Sequence, residues 1–255
     1  MTPLPDAFLR RPLAHRALHD VTDGRPENSR AAIRAAIAAG YGIEIDLQLS
    51  RDGRAMVFHD YDLGRLARGK GPIRQRDADD LANTRLLGGD EGIPTFREIL
   101  ELVAGRVPLL VELKDQHGRM GPGDGLLEHA AAADLAGYSG PVALMSFNPH
   151  SVIALATLRP ELPRGLVTCP FTAEDWPLLS PETRDRLRGI PDFHRAGACF
   201  VSHQAADLGR PRVAELKAGG AAILCWTVRS PAAEATARHI ADNITFEGFL
   251  PAITS

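Results

Sequence analysis

Residues 41–60 run YGIEIDLQLSRDGRAMVFHD, and their alternation decides the fold. Tyr41, Ile43, Ile45, Leu47 and Leu49 are apolar, so a strand of period two places Glu44, Asp46 and Gln48 together on its other face. Past Arg51-Asp52-Gly53-Arg54, a second apolar run ending in His59-Asp60 reads as another strand. A parallel partner needs a crossover of about a dozen residues. The connection here is far shorter, so the two strands form an antiparallel hairpin. A tight loop of Asp52 and Gly53 alone sets Asp46 directly opposite His59.

Outward from the hairpin, the pattern repeats with helices between strands. LAHRAL at 13–18 is a short strand-like run with His15 and Arg16 at its end, followed by a loop. Asn28 or Ser29 caps a helix that carries Ile33, Ala36 and Ile37 on one face and stops at Gly40. Residues 61–94 are polar, Gly-rich and weakly periodic, an insertion with a short helix near Asp77–Asn83. Thr95 to Glu98 is a capping box opening the next helix. Strand-like runs then fall at 109–113, 141–147, 165–169, 198–202, 222–228 and 243–246, with helical patterns at 124–136, 150–158, 181–188, 210–218 and 231–240. Together with 13–17 and 43–48 this makes eight strand positions, the hairpin return being extra. The pattern predicts an α/β chain folded as a TIM (β/α)8 barrel, one domain over residues 1–255 with the insertion at 61–94. The Gly-rich turn common to open dinucleotide-binding sheets is absent.

Composition narrows the function classes. The 255 residues carry 29 basic and 32 acidic side chains, net −3, which leaves no electrostatic footprint for nucleic acid or an anionic membrane. No apolar run is long enough to span a bilayer, so no stable membrane insertion is expected. The opening MTPLPDAFLRRPL lacks the apolar segment of a secretory signal. Cys169, Cys199 and Cys225 are scattered inside apolar runs, which reads as free thiols in a reducing, cytoplasmic setting. Nothing in the pattern bears on oligomeric state.

In a barrel of this kind, functional side chains gather at the C-terminal ends of the strands. That rule selects His15 and Arg16, Glu44 and Asp46, His59, and Glu112 and Lys114 of PLLVELK. Any one of them alone is more often a satisfied ion pair; seven at equivalent strand ends need a common reason. Glu44, Asp46 and Glu112 offer only hard oxygen ligands, the chemistry of Mg²⁺ or Ca²⁺. Arg16 and Lys114 supply positive charge for an anionic group. His15 and His59 suit general acid and base work near neutral pH. The combination fits attack at a phosphoryl group of a small molecule.

The ordered blocks also carry a resemblance. His15-Arg16, Pro26-Glu27-Asn28-Ser29, Glu44-Ile-Asp46, Ser50 through Asp60, Ile93 through Leu100 and Glu112-Leu-Lys114 resemble the signature of the glycerophosphodiester phosphodiesterase family, and Ser146-Phe147 and Trp226-Thr-Val are similar to its later motifs. The resemblance implies one divalent cation on Glu44, Asp46 and Glu112, His15 and His59 as the acid–base pair, and Arg16 and Lys114 near the phosphate. It implies hydrolysis of a glycerophosphodiester to sn-glycerol 3-phosphate and an alcohol, with Trp226 as a wall for the organic part or simply a core residue. Three departures touch the rim: Ala17 stands for the family's glycine, Arg229 for its Asn, and the last strand ends Asn243-Ile-Thr-Phe-Glu247.

Rival readings are a phosphodiesterase of lysophospholipids or sugar phosphodiesters, a non-catalytic phosphodiester-binding barrel, and a barrel aldolase with a Schiff base on Lys114. GRLARGK at 64–70 lacks the Ser or Thr of a phosphate-binding loop. The remaining histidines, His203 among them, read as surface or satisfied core residues.

Overall fold

Strands with one charged-rimmed face and one apolar face must bury both, and this chain does so by closing its sheet and ringing it with helices. The computed structural model describes residues 2–253. In chain order the elements are α1 (Ala7–Arg10), β1 (Leu13–Ala14), α2 (Arg30–Ala39), β2 (Gly42–Leu49), β3 (Ala55–Val57), α3 (Ala78–Ala82), α4 (Phe96–Val103), β4 (Leu109–Leu113), α5 (Leu126–Asp134), β5 (Val142–Ser146), α6 (Pro149–Leu158), β6 (Arg164–Thr168), α7 (Pro181–Arg188), β7 (Phe200–Gln204), α8 (Pro211–Ala218), β8 (Ala222–Val228), α9 (Pro231–Ala237) and β9 (Asn243–Phe246). Eight strands, all but β3, pair in parallel, and β1 meets both β2 and β9, which closes the TIM barrel.

The period-two reading of β2 is realised. Ile43, Ile45, Leu47 and Leu49 pack outward in the large core shared with α2 and α4, while the acidic residues take the other face. Ser29 caps α2 through its hydroxyl, and Thr95 and Glu98 form the capping box of α4. β1 is shorter than the expected 13–17 because Arg16 and Ala17 turn into left-handed backbone, φ 52° and 65°. That conformation costs an L-residue about 1–2 kcal/mol. It points the Arg16 amide at Glu44 Oε2 (2.9 Å) and the Ala17 amide at the Glu44 carbonyl (3.0 Å).

One expectation is corrected. The hairpin pairs Leu47 with Val57, Gln48 with Met56 and Leu49 with Ala55, one residue out of the expected register. Ser50 bonds Arg54 across the ladder (2.9 Å), so the loop is Arg51 to Gly53, with Gly53 left-handed at φ 79°. The Ser50 hydroxyl donates to Asp52 Oδ1 (2.6 Å) and accepts from the Arg54 amide (2.9 Å), favouring this wider turn. Phe58 therefore stands at the level of Asp46, its amide on the Asp46 carbonyl (3.0 Å). His59 lies one residue further, its carbonyl held by Gln48 Nε2 (3.0 Å).

The barrel interior is a separate core of Leu13, Leu110, Ala143, Met145, Val167, Phe200 and Leu224. Its floor is the N-terminal segment, where Phe8 of α1 is fully buried and Asn243 Nδ2 donates to the carbonyls of Phe8 (2.7 Å) and Arg11 (2.6 Å). The segment after β3 packs a third core of its own, Leu63, Ile73, Leu81 and Ile93, onto Met56 and Phe58. Among the described residues no helix is long and apolar enough to cross a membrane.

Gly165 shows how tightly the interior is filled: a Cβ there would lie 2.3 Å from the Phe200 ring. Gly165→Ala is expected to cost about 1–3 kcal/mol in urea unfolding, and Phe200→Leu in the same chain to recover part of it.

Candidate active site

The strand-end rule is met by a single mouth. His15, Arg16, Glu44, His59, Glu112 and Lys114 all line one cavity of about 290 Å³ at the C-terminal ends of the strands, with Trp226 on its wall. Glu44, Asp46 and Glu112 each bring a carboxylate oxygen within 4.8 Å of the other two. Register explains the meeting: Asp46 sits beside Glu112 across the β2–β4 ladder, and Glu44 lies two residues back on the same face of β2.

Three buried carboxylates repel, and their surroundings decide which keeps its charge. Lys114 Nζ lies 2.7 Å from both Asp46 Oδ1 and Glu112 Oε1. Asn28 Nδ2 donates to Asp46 Oδ2 (2.9 Å), and Arg16 Nε is 3.7 Å from the same oxygen. Burial alone would raise Asp46, but Lys114, His59 and Arg16 outweigh it and hold this carboxyl well below its ordinary value. Burial raises Glu44 well above the usual range, and the charges of Asp46 and Glu112 push it further. Burial also raises Glu112, against the pull of Lys114. Lys114 is itself driven upward, because Asp46 and Glu112 overcome its desolvation, so it stays an ammonium. A Schiff-base lysine needs the opposite shift.

Each imidazole has its own carboxylate. His15 Nδ1 is 2.8 Å from Glu247 Oε2, and His59 Nδ1 is 2.7 Å from Asp60 Oδ1. Both carboxylates are backed by arginine. Arg65 grips Asp60 through Nε (2.6 Å) and Nη2 (2.7 Å), and Arg229 reaches Glu247 at 3.3 Å. Arg65 also bonds Glu27 (3.3 Å), whose Oε1 accepts from Arg16 Nη1 at 2.8 Å. Charge therefore alternates from Asp60 through Arg65 and Glu27 to Arg16. The hydrogen bond from His15 holds the Glu247 carboxyl down to about 2, while burial lowers the His15 imidazole despite that bond.

Sequence reasoning missed Asn28, Asp60, Arg65 and the pairing of Glu247 with His15. Asn28 and Asp60 lie in the blocks that carry the resemblance without being given a role there, and Glu247 directly follows β9, where the strand-end rule applies. Arg229, a rim departure, is largely exposed apart from its contact with Glu247. His203 is a satisfied core histidine between Thr168 Oγ1 (2.7 Å) and Asp207 Oδ2 (3.1 Å). The three cysteines are buried and free.

Fold and site together define a barrel whose titratable and charged side chains gather at a single mouth. The model of the glycerophosphoryl diester phosphodiesterase family matches residues 15–245, so the chain belongs to that family and is a phosphoric diester hydrolase. It is 26% identical over 216 residues to YhdW of Bacillus subtilis, a candidate glycerophosphodiester phosphodiesterase by name, covering 80% of this chain and 82% of that one. A glycerophosphodiester phosphodiesterase of Caldanaerobacter subterraneus is 31% identical over 163 residues, 59% of this chain and 65% of that one. The solved structure of an Oleispira antarctica phosphodiesterase with sn-glycerol-3-phosphate superposes with a TM-score of 0.74 at 23% identity, covering 94% of each chain; that likeness establishes the shared fold.

The limb of the pH–rate profile that His15 controls should lie below its ordinary value of 6.5. Glu247→Gln removes a charge and weakens a hydrogen bond that together raise His15, so this limb should move to still lower pH. The rate should also fall about 10-fold or more as the imidazole loses its fixed tautomer. A profile of unchanged shape would show that the pair does not control turnover.

Proposed function

We propose that the chain hydrolyses glycerophosphodiesters to sn-glycerol 3-phosphate and an alcohol with a divalent cation and two acid–base histidines. The observation that carries the reading is the convergence of three buried carboxylates, two of them lining one cavity with both imidazoles, and each imidazole is bonded at Nδ1 by its own carboxylate.

The donor set fits a hard cation. Three carboxylates face one ammonium and, at 3.7 Å, the Arg16 guanidinium that Glu27 already holds, and Glu44 takes a single backbone hydrogen bond on its side chain, so carboxylates outnumber the cations beside them. Glu44, Asp46 and Glu112 would hold Mg²⁺ or Ca²⁺ through oxygen alone. When bound, the cation supplies fixed positive charge against the non-bridging phosphate oxygens. Arg16 adds to that field: its Nη1 is held by Glu27, while its buried Nε has no hydrogen-bond partner and borders the same cavity. Lys114 keeps its charge beside the phosphate position, and Trp226 forms the side wall.

With Nδ1–H committed to a carboxylate, each histidine is left Nε2 for proton exchange with substrate. One takes the proton of the attacking hydroxyl and the other returns one to the leaving alkoxide. Glu247 and Asp60 hold the rings in place and favour the imidazolium that each passes through. Three buried free thiols support a reducing, cytoplasmic setting.

The test is release of glycerol 3-phosphate from a glycerophosphodiester panel with and without EDTA. Chelation should abolish turnover, Mg²⁺ or Ca²⁺ should restore it, and Glu44→Ala should prevent the restoration. His59→Ala should lower kcat by about 100-fold or more. Metal-independent turnover would overturn the cation assignment, and a near-normal rate in His59→Ala would make that residue structural. Because Glu44 binds a proton more readily than an ordinary carboxyl, cation affinity should rise with pH, readable by calorimetry.

A further inference from the structure

The mouth does not end at His59. A second chamber of about 360 Å³ shares His59, Glu112, Lys114, Phe147 and Trp226 with the first and opens beyond them. Their linings differ in kind. On the β7–β9 side of the first, the hydroxyls of Ser202 and Thr245 are buried without a hydrogen-bond partner, with Gln204 and Arg229 beside them. The second is walled by Tyr61, Met120, Phe147, Trp176 and Trp226. The Phe147 ring lies 5.0 Å from Trp176 and 5.5 Å from Trp226, so the aromatic surface is continuous.

The carboxylates bordering this second chamber are already engaged. Asp60 is held by His59 and Arg65, and Glu112 by Lys114. Asp115 accepts from Asn148 Nδ2 (2.9 Å) and the Met120 amide (3.1 Å), and the Tyr61 hydroxyl donates to the Asp115 carbonyl. Among the described residues lining the chamber, Asp60 and Glu112 are ion-paired, Asp115 is buried with each carboxylate oxygen already hydrogen-bonded, and the Lys114 ammonium stands on the inner wall. A polyol needs partners for its hydroxyls, and Ser202, Gln204, Arg229 and Thr245 line the first chamber alone.

We propose that the second chamber receives the departing alcohol, and that this enzyme prefers glycerophosphodiesters of an uncharged, apolar alcohol of short alkyl or benzyl type. The assignment rests on the hydrolytic reading above. Hydrolysis breaks the bond from phosphorus to the alcohol oxygen and forms one to the oxygen delivered by water. A proton passes to the leaving oxygen, giving sn-glycerol 3-phosphate and the free alcohol, with water the sole co-reactant. Tyr61 and Trp176 are then specificity-determining residues, supplied by loops rather than barrel strands.

The experiment compares kcat/KM for glycerol 3-phosphate esters of butanol, benzyl alcohol, ethanolamine and choline at one cation concentration. Each buried methylene multiplies affinity by about four, so the butyl and benzyl esters should exceed the ethanolamine ester about 10-fold or more. Trp176→Ala, and independently the rim variant Tyr61→Ser, should shrink that ratio; a ratio taken within one variant is insensitive to partial unfolding. Equal values in the wild type, a choline ester that outperforms the apolar ones, or a ratio unmoved in both variants would overturn the preference while leaving hydrolysis standing. The chain's two tryptophans, Trp176 and Trp226, both line this chamber, so intrinsic fluorescence reads its occupancy without turnover. In a fluorescence titration of His15→Ala, tighter binding of the butyl and benzyl esters supports the preference, and equal binding overturns it. Should no ester be hydrolysed by the wild type, the hydrolytic reading fails and this titration still decides the preference.

Discussion

Three carboxylates buried within 4.8 Å of one another are the constraint around which the molecule is arranged. Each desolvated ion costs several kcal/mol unless it is compensated, and Glu44, Asp46 and Glu112 are at most 6% exposed. The fold answers from three directions. Lys114 enters from the end of β4, Arg16 and its own amide from the turn after β1, Asn28 from the approach to α2, and the Ala17 amide fixes the backbone of Glu44. The left-handed pair Arg16-Ala17 is the backbone cost of aiming two N–H groups at one residue. The alanine methyl is accepted there because it is buried in the outer core rather than directed at the cavity.

The same electrostatic logic organises the imidazoles. His15 and His59 come from different connections, after β1 and after β3, yet each meets a carboxylate at Nδ1 and each carboxylate meets an arginine. The backing differs in strength. Asp60 is gripped by two short bonds from Arg65, whereas Glu247 has one long contact from an exposed Arg229. His15 is also the ring that burial pushes toward neutrality. The two histidines thus differ in how firmly their partner carboxylates are held, although those partners are of the same kind.

Much of this was legible because it sits on strands. The alternation of Tyr41–Leu49 and of Leu109–Lys114 states which side chains share a face, and parallel register brings those faces together without further information. The capping box at Thr95 and the left-handed Gly40 are local signals that survive in the fold. What escaped depended on tertiary context. The hairpin register turned on whether the Ser50 hydroxyl would close a wider loop, a choice between two acceptable turns. The four-residue α1 is too short to hold itself and exists because Phe8 fills the barrel floor. Asn28, Asp60 and Glu247 are residue types that crowd any protein surface, and their roles follow only from what the folded chain sets against them.

That division has a consequence for how such a site can vary. The charged cluster draws on β2 and β4 and on turns fixed by hydrogen bonds to Glu44 and Asp46, so a change there disturbs compensated buried charge and with it the fold. The aromatic chamber draws Tyr61 from the segment after the hairpin and Trp176 from the connection between β6 and α7, which are satisfied by local packing. Tyr61 touches the rest of the site through one bond to the Asp115 carbonyl. Ring size and polarity in these loops can therefore change with little effect on the carboxylates, because the two sets of residues share a boundary at His59 and Trp226 but few supporting bonds. Reaction and leaving-group preference are separable properties of this barrel, one carried by its strands and the other by its connections.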